Sequence, residues 1–229
     1  YKSDLQRKLE DELPGSSWEE CFVNAHNKLE EFLLGREWNV GDSDGITGTK
    51  SVDLMLKDWS DGDHEKRISS QLRASNYRSR IRPSKGAAPK PGRKPVSKWG
   101  DARYDRSGPG WVERRIERPM HVQYDTNIWK SHASRRLKTV VGSPSSLVLP
   151  GDDEESLGLL AEHLTAEIAK QFTYDGTPGT IWELIPGRNN DWWDCLVGNM
   201  VAASMLGVAI PGEQVAKTIK KRKTRSATY

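Results

Sequence analysis

One segment limits the folds open to this chain more than any other. Residues 192–208 are apolar around almost the whole circumference of a helix, so we predict a buried helix without a solvent face. Asp194 falls in its first turn, and a carboxylate carried into a core needs a hydrogen-bond donor, a cation or a metal beside it. Asp194 is therefore the best single candidate for chemistry. The alternative is that it only complements the positive end of the helix dipole, with Asn189 or Asn190 as cap.

The composition describes a chain that can bury a sizeable core and is otherwise rich in polar segments. Its 229 residues are 35% hydrophobic, with a mean hydropathy of −0.74. Cys21 and Cys195 lie far apart in the sequence, so we expect a reducing compartment rather than a disulfide framework. No apolar run reaches the roughly 18 residues that cross a bilayer, and no signal peptide is visible. Because the first residue is Tyr1, we interpret the sequence as a processed product or a piece of a longer reading frame.

The net charge of +3 conceals a strong asymmetry along the chain. Residues 66–118 carry 16 Lys and Arg against 4 Asp and Glu, residues 217–229 carry 6 basic residues and no acid, and the rest is acidic. Trp99, Tyr104 and Trp111 lie within the central basic block. Aromatic rings among cations suit nucleic-acid binding, because rings stack on bases while cations neutralise phosphates. A solvated, flexible arm without a partner is the alternative.

The hydrophobic periodicity predicts alternating helices and strands, and hence an α/β domain with a mixed sheet. A capping box formed by Ser16 and Glu19 opens an amphipathic helix that ends at Gly35, and Asp125 caps a helix that runs from about residue 127 to 139. The other predicted elements are strands at 37–40, 77–82, 120–124, 146–149 and 180–185, helices at 51–59 and 152–172, a loop at 60–66 and a long basic loop at 83–112.

Acidic residues that follow a predicted strand and open the buried helix point to a metal site. Asp42 and Asp44 lie in the turn after the strand at 37–40, and Asp194 opens the helix. Hard cations such as Mg²⁺ and Mn²⁺ prefer oxygen ligands, and two of them can hold a phosphodiester, generate the attacking hydroxide and stabilise the leaving oxygen. The alternative is that an Asp in a turn is only a turn former.

The sequence does not support other catalytic or cofactor motifs. A phosphate loop requires Gly directly before Lys, and in the segment 45–51 Thr49 intervenes before Lys50. The histidines form no His-Glu-x-x-His pattern and no Cys-x-x-Cys accompanies them, so a zinc site is not indicated. No Gly-x-Ser-x-Gly motif supports a serine nucleophile.

Several segments together resemble one known family. The most specific pair is Asp-Thr-Asn-x-Trp-Lys, which begins at Asp125, and Trp-x-Asp-Cys-Leu-Val-Gly, which begins at Trp192. Further matching segments lie at 34–38, 82–86 and 161–167, and their order and spacing fit over residues 5 to 208. On these motifs the chain resembles the C-terminal nuclease region of the large terminase subunit of tailed bacteriophages, of the GpA family.

The resemblance implies an RNase H-like fold, a mixed sheet flanked by helices, over residues 1–210, with a flexible basic tail at 211–229. It implies an endonuclease that uses Mg²⁺ or Mn²⁺ in a two-metal site and cuts concatemeric double-stranded DNA during genome packaging in the host cytoplasm. The small terminase subunit and the portal or procapsid would be its partners, and no membrane is involved. The family's first acidic strand and its ATPase motor would precede Tyr1, so we expect an N-terminally truncated domain.

The family's late catalytic Asp matches Asp194. Its middle acid lies in a turn after a strand, where we prefer Asp42 as catalytic and metal-binding residue and keep Asp44 as the alternate ligand. Asp125 and Lys130 belong to a family motif, although a role as helix cap would also account for Asp125. The side chains that we expect to contact the DNA backbone are Arg78, Arg80, Arg82, Lys85, Lys90, Arg93, Lys94 and Lys98.

Two other hypotheses stand beside that of a working nuclease. The first is a DNA- or capsid-docking module that keeps the fold without the activity, because a missing acid would weaken metal binding sharply. The second is a structural domain with a disordered basic arm.

Overall fold

The structure, a computed structural model, describes residues 16–42, 45–59, 62–143, 145–149 and 154–209. In chain order its elements are α1 (Trp18–Leu34), β1 (Trp38–Asp42), β2 (Gly45–Lys50), β3 (Met55–Asp58), α2 (Gly62–Ala74), β4 (Ile81–Ala87), a 3₁₀ turn (Val96–Lys98), β5 (Arg106–Gly108), β6 (Trp111–Arg114), β7 (His121–Asp125), α3 (Thr126–Leu137), α4 (Glu154–Leu164), β8 (Glu167–Tyr174), β9 (Thr177–Leu184) and α5 (Asp191–Met205). None of the described helices combines the length and the apolar character needed to cross a membrane.

A mixed sheet with the strand order β3-β4-β7-β6-β5 organises these elements. Strands β3, β4 and β7 are parallel, whereas β6 runs antiparallel to β7 and β5 antiparallel to β6. Parallel neighbours need a crossover connection, and α2 supplies it between β3 and β4. The carboxyl ends of β3 and β7, which carry Asp58 and Asp125, therefore lie at the same edge of the sheet.

Helices α3 and α5 pack on one face of this sheet. Trp111 of β6 and both Val122 and Tyr124 of β7 form a buried cluster with Trp129 of α3 and Trp193 of α5. Burial of one such large side chain contributes about 1.5–3 kcal/mol, so the cluster fixes the position of the first turn of α5 against the sheet.

Helices α1 and α2 are joined to β3 by a buried polar network. Lys57 Nζ donates to Glu30 Oε1 at 2.6 Å and to Gln71 Oε1 at 2.8 Å, and Ser75 Oγ donates to Glu30 Oε2 at 2.5 Å. Only 4% of the Lys57 side chain and 2% of the Glu30 side chain are exposed. Because consecutive strand residues face opposite sides, Lys57 faces α1 and α2 while Asp58 lies on the side of α3 and α5.

Two antiparallel hairpins lie outside the central sheet. In the first, β1 pairs with β2, and Asp42 lies opposite Gly45. In the second, β8 pairs with β9 around a turn in which Asp175 has a φ of 47°. This second hairpin is fixed to α3, because Trp182 N donates to Asn127 Oδ1 at 3.1 Å.

The predicted class, an α/β fold with a mixed sheet flanked by helices, is confirmed. The helix capped by Asp125 is also confirmed, since Asp125 Oδ1 accepts a hydrogen bond from Ile128 N at 3.1 Å. The capping box of α1 lies one residue further along than predicted, with Ser17 and Glu20 as its members. The strands predicted at 37–40, 120–124 and 180–185 correspond to β1, β7 and β9.

The helix predicted at 51–59 is wrong. Residues 51–54 have no regular structure, and the next four form β3. Val52, Met55, Leu56 and Trp59 have the spacing of one helix face, but so short an apolar run does not distinguish a helix from a buried strand. Pairing of β3 with β4 decides the outcome.

Five other predicted segments also differ from the structure. The helix predicted at 152–172 ends at Leu164, and its second half is β8, because pairing with β9 satisfies that backbone. The loop predicted at 60–66 overlaps the start of α2, and no strand forms at 146–149. The basic segment 83–112 includes most of β4, all of β5 and the start of β6, and the strand predicted at 77–82 begins only at Ile81.

Candidate active site

The first turn of α5 positions Asp194 at the edge of the sheet. The turn begins after Asn190, whose Nδ2 donates to Asp194 Oδ2 at 3.0 Å and to Glu167 Oε1 at 2.5 Å. About half of the Asp194 side chain, 47%, is exposed, and Asp191, Cys195 and Asn199 are exposed along the same helix, so the prediction of a buried helix without a solvent face is wrong. Trp193 takes the core-facing position of this turn, which leaves Asp194 at the rim.

Lys130 of α3 is the cation beside Asp194. Its Nζ lies 2.9 Å from Asp194 Oδ1 and 2.5 Å from Oε1 of Glu167, which is the first residue of β8. Lys130 and Glu167 are almost fully buried, with 9% and 3% of their side chains exposed. The partner that a carboxylate in this position requires is therefore an ammonium group, supplied by Lys130 of the Asp-Thr-Asn-x-Trp-Lys motif.

Asp58 adds a third negative charge to this edge. It ends β3, and its charge acts on both Asp194 and Tyr124. Partial burial raises the pKa of Asp194, the Lys130 ammonium lowers it, and the carboxylates of Glu167 and Asp58 raise it again, so that the pKa lies above its usual range. Burial, with the charges of Asp194 and Asp58, also raises the pKa of the Tyr124 phenol.

Asp125, the acid at the end of β7, has a structural role. Its carboxylate caps α3, and its backbone N–H donates to Gly110 O at 2.8 Å. Burial raises the pKa of the Asp125 carboxyl, although hydrogen bonds from the backbone N–H groups of Ile128 and Asn127 act in the opposite direction. The helix-cap interpretation from the sequence is thus the one that the contacts support.

The remaining predicted metal ligands lie on the first hairpin or outside the described residues. Asp42 is the last residue of β1, in a sheet separate from the central one, and its side chain is not among those described. Asp44 falls outside the described residues. Their roles as ligands stay predictions.

The edge of the sheet with Asp58, Glu167 and Asp194, called the acidic edge below, meets only some of the requirements of a divalent-cation site. Glu167 Oε2 is buried and has no hydrogen-bond partner among the described residues. This oxygen could therefore coordinate a metal ion together with Asp194. Within the described ranges, however, no three His, Cys, Asp or Glu side chains are grouped closely enough to hold a metal ion. The Lys130 ammonium lies between Asp194 and Glu167, where it balances their charge. A complete ligand set would need Asp58, Asp42 or Asp44, or oxygens from the substrate and water.

Some of the predicted DNA contacts are engaged within the fold. Arg80 donates to the carbonyl oxygens of Leu34 at 2.6 Å and Val52 at 3.1 Å, so its guanidinium ties β4 to the segments before it. Lys85 forms an ion pair with Glu65.

The other predicted DNA contacts form two separate groups. Lys90 and Arg93 lie over the Tyr174 ring, at 4.7 Å and 5.0 Å from its centroid, and Arg93 Nη2 donates to Tyr174 Oη at 2.7 Å. Lys94 and Lys98 follow them and are exposed. The second group, Arg78 and Arg82, lines a cavity beside α2.

The fold and the acidic edge together define a class of protein. A five-stranded mixed sheet flanked by helices is consistent with an RNase H-like nuclease fold. The family model described as terminase large subunit gpA, endonuclease domain, matches residues 24–216. The chain belongs to this family. Comparison with curated proteins and with solved structures gives no match.

Sequence reasoning did not single out Asp58 and Glu167. Asp58 was assigned to a helix, which hid its position at the end of a parallel strand. Glu167 is the last residue of the matching segment 161–167, so the resemblance held a signal for it. A buried cation such as Lys130 in the motif that begins at Asp125 requires acidic partners, and this requirement is the physical signal that could have found Glu167.

Proposed function

We propose that this chain is the metal-dependent endonuclease region of a phage terminase large subunit, which cuts concatemeric double-stranded DNA during genome packaging. The observation that carries the proposal is the meeting of Asp194, Glu167 and Lys130, from α5, β8 and α3, with the charge of Asp58 beside them. The match to gpA endonuclease domains over residues 24–216 supports the reaction class.

Asp194 is the central proposed ligand of Mg²⁺ or Mn²⁺ and the central catalytic residue. Asp42, with Asp44 as alternate, is a proposed metal ligand on the basis of the sequence. Asp58 joins the proposed ligands because its charge acts on Asp194. A divalent cation bound there would supply a hydroxide nucleophile and stabilisation of the leaving oxygen. Oxygen ligands of this kind are those that hard cations select.

Lys130 and Asn190 orient the acids in this proposal. Both donate to Glu167 and Asp194, which fixes two carboxylates that would otherwise repel each other. A carboxylate held in place before the substrate arrives loses less freedom when it binds a cation or a phosphate.

DNA would approach this edge across the basic segment after β4. Among the proposed backbone contacts, Lys90, Arg93, Lys94 and Lys98 are exposed and fall within one short stretch of chain, so they can neutralise neighbouring phosphates. Arg78, Arg80, Arg82 and Lys85 remain proposed contacts, although the last three already form interactions within the fold. The small terminase subunit, the portal or procapsid and the host cytoplasm are the proposed setting.

Plasmid nicking with Mn²⁺ tests the proposal. We expect cutting by the wild-type chain to stop in EDTA and to fall by about 10²-fold or more in Asp194→Asn, because an interaction with the reacting group is lost. Asp191→Asn is the matched control, since Asp191 lies in the same turn of α5 and is exposed. Equal cutting by both variants would contradict the role of Asp194.

The second candidate function is a catalytically incomplete module that docks DNA or the capsid. It is favoured by one observation, that Lys130 already balances Asp194 and Glu167 and no three-residue metal group is formed within the described ranges. Salt-sensitive DNA binding without any Mn²⁺-dependent nicking would support this candidate and reject the first.

A further inference from the structure

A second candidate ligand site lies on the α2 side of the sheet. A cavity of about 820 Å³ opens between α2, the start of β4 and the connection from β6 to β7. Its floor includes Leu72 and Ile81, which belong to the buried cluster between α2 and β4, whereas Asp194 lies with α3 and α5 on the opposite face. Small-molecule sites usually occupy about 300–1,000 Å³, so the cavity has room for one compact ligand.

Positive charge dominates the described lining of this cavity. Five cationic side chains contribute to it, and Glu65 is the acid among the described lining residues. Glu65 is already paired with Lys85, which lies outside the lining. The cationic lining residues are Lys66, Arg73, Arg78, Arg82 and Arg118, and all but Arg82 are exposed.

Two of the exposed arginines are oriented by neutral groups. Arg73 Nε donates to Ser69 O at 3.1 Å, and Arg118 Nη1 donates to the carbonyl oxygens of Arg115 at 2.8 Å and Glu117 at 3.1 Å. A carbonyl oxygen orients a guanidinium without cancelling its charge, and each guanidinium keeps further N–H donors. Arg82 differs, because Glu113 Oε1 accepts from its Nε at 3.1 Å. The cavity therefore has oriented cations that an anion would stabilise.

The other described lining residues are largely apolar: Trp59, Leu72, Ile81, Pro119 and Met120. A bare phosphate would gain nothing from such a floor, whereas a ligand with a phosphate and a flat ring would use both parts of the site. A DNA duplex is much larger than a cavity of about 820 Å³ and could contact only its rim. The size, the charge and the apolar floor thus favour a single nucleotide unit.

We propose that this cavity binds a nucleoside phosphate, either free or as the end unit of a single strand, with the phosphate on the arginines and the base on the apolar floor. The proposal goes beyond the nuclease function and does not depend on it. Arg73 and Arg78 are two of the cations that would contact the phosphate, since both are exposed and neither forms an ion pair within the described part of the chain.

Fluorescence anisotropy with the full chain in EDTA tests the proposal. The probes are a fluorescent ATP analogue for the free ligand and a labelled, 5′-phosphorylated oligothymidylate for the strand end. We expect Arg73→Glu and Arg78→Glu each to weaken binding by about tenfold or more, the loss typical of one charge-assisted hydrogen bond. Lys28→Glu, the same charge change at an exposed position of α1, should leave binding within about twofold.

The two probes distinguish a free nucleotide from the end of a strand. Loss of ATP-analogue binding in the cavity variants supports a free nucleotide, and loss of oligothymidylate binding alone supports a strand end. Binding that Arg73→Glu and Arg78→Glu leave unchanged, no binding of either probe, or equal displacement by polyglutamate would overturn the proposal. Circular dichroism of each variant verifies folding. Duplex DNA binding and Mn²⁺-dependent nicking, measured on Arg73→Glu, report separately on the nuclease function, because Arg73 is not among the proposed DNA contacts.

Discussion

Lys130 Nζ lies 2.5 Å from Glu167 Oε1, and this pair joins α3 to the first residue of β8 inside the protein. Lys130→Met would keep most of the apolar length of the side chain and leave the Glu167 carboxylate buried without its cation. Removal of one partner of a buried ion pair costs about 3–5 kcal/mol, and we expect the lower end because Asp194, the other partner, is half exposed. Urea denaturation measures the loss.

Two variants serve as references for Lys130→Met. Lys138→Met, at the exposed end of the same helix, should change the free energy of unfolding by less than about 0.5 kcal/mol. The double variant Lys130→Met with Glu167→Gln should recover part of the stability, because no charge is then left buried. A Lys130→Met protein as stable as the wild type would show that the pair contributes nothing to folding.

Asp58→Asn tests whether the end of β3 belongs to the metal site. Removing its charge should weaken Mn²⁺ binding, measured by calorimetry on the intact chain, by about 10–100-fold, the range seen when groups that support a metal site are changed. Asp53→Asn is the matched control, since Asp53 lies in the segment just before β3 and is exposed. Equal Mn²⁺ affinity in both variants would remove Asp58 from the proposed site.

The basic segment after β4 yields a prediction about salt dependence. Each neutralised phosphate contributes roughly 0.9 to the slope of the logarithm of duplex affinity against the logarithm of salt concentration. The double variant Arg93→Glu with Lys94→Glu should therefore bind duplex DNA more weakly and with a slope reduced by about 2. Lys28→Glu should leave the slope unchanged. The measurement is anisotropy of a labelled duplex in EDTA, and an unaltered slope in the double variant would place the DNA elsewhere.

The buried network around Glu30 predicts a dependence of stability on pH. Burial alone would raise the pKa of the Glu30 carboxyl, but hydrogen bonds from Lys57, Ser75 and Gln71 lower it below its usual range. A carboxyl with a depressed folded pKa stabilises the protein above its unfolded pKa of about 4.3, and this contribution disappears as the pH falls through the folded pKa.

Glu30→Gln should therefore be less stable than the wild type at neutral pH and should lose less of its free energy of unfolding on acidification below about pH 4. Urea denaturation at a series of pH values gives both quantities. Glu162→Gln makes the same charge change at an exposed position of α4 and is the control for that change. Parallel profiles for the wild type and Glu30→Gln would show that Glu30 does not titrate with unfolding.

Long patterns with clear ends could be predicted from the sequence, whereas short ones could not. The Asp125 cap of α3 and the strand before it are local signals, and tertiary packing agrees with them. The apolar run of α5 likewise identified a helix, although its predicted burial on all sides is wrong. Strand β3 and the hairpin of β8 and β9 depend on pairing with distant segments, so local periodicity assigned parts of them to helices.

In the candidate site, too, the local feature could be predicted from the sequence and the long-range contacts could not. Asp194 could be identified because a carboxylate in an apolar helix violates the local pattern, and its need for a partner follows from electrostatics. The identity of that partner could not be derived, because Lys130 and Glu167 reach Asp194 only through the packing of three elements.

The alternation of Lys57 and Asp58 along β3 restricts how the gene can change in length. A single-codon insertion or deletion in the segment 51–54 that shifted β3 by one residue would turn the ammonium towards α5 and the carboxylate into the contact with Glu30. Like charges would then meet inside the protein. Insertion or deletion of two codons would leave each side chain of β3 on its present face of the sheet. Natural length variation ahead of this strand should therefore occur in multiples of two residues.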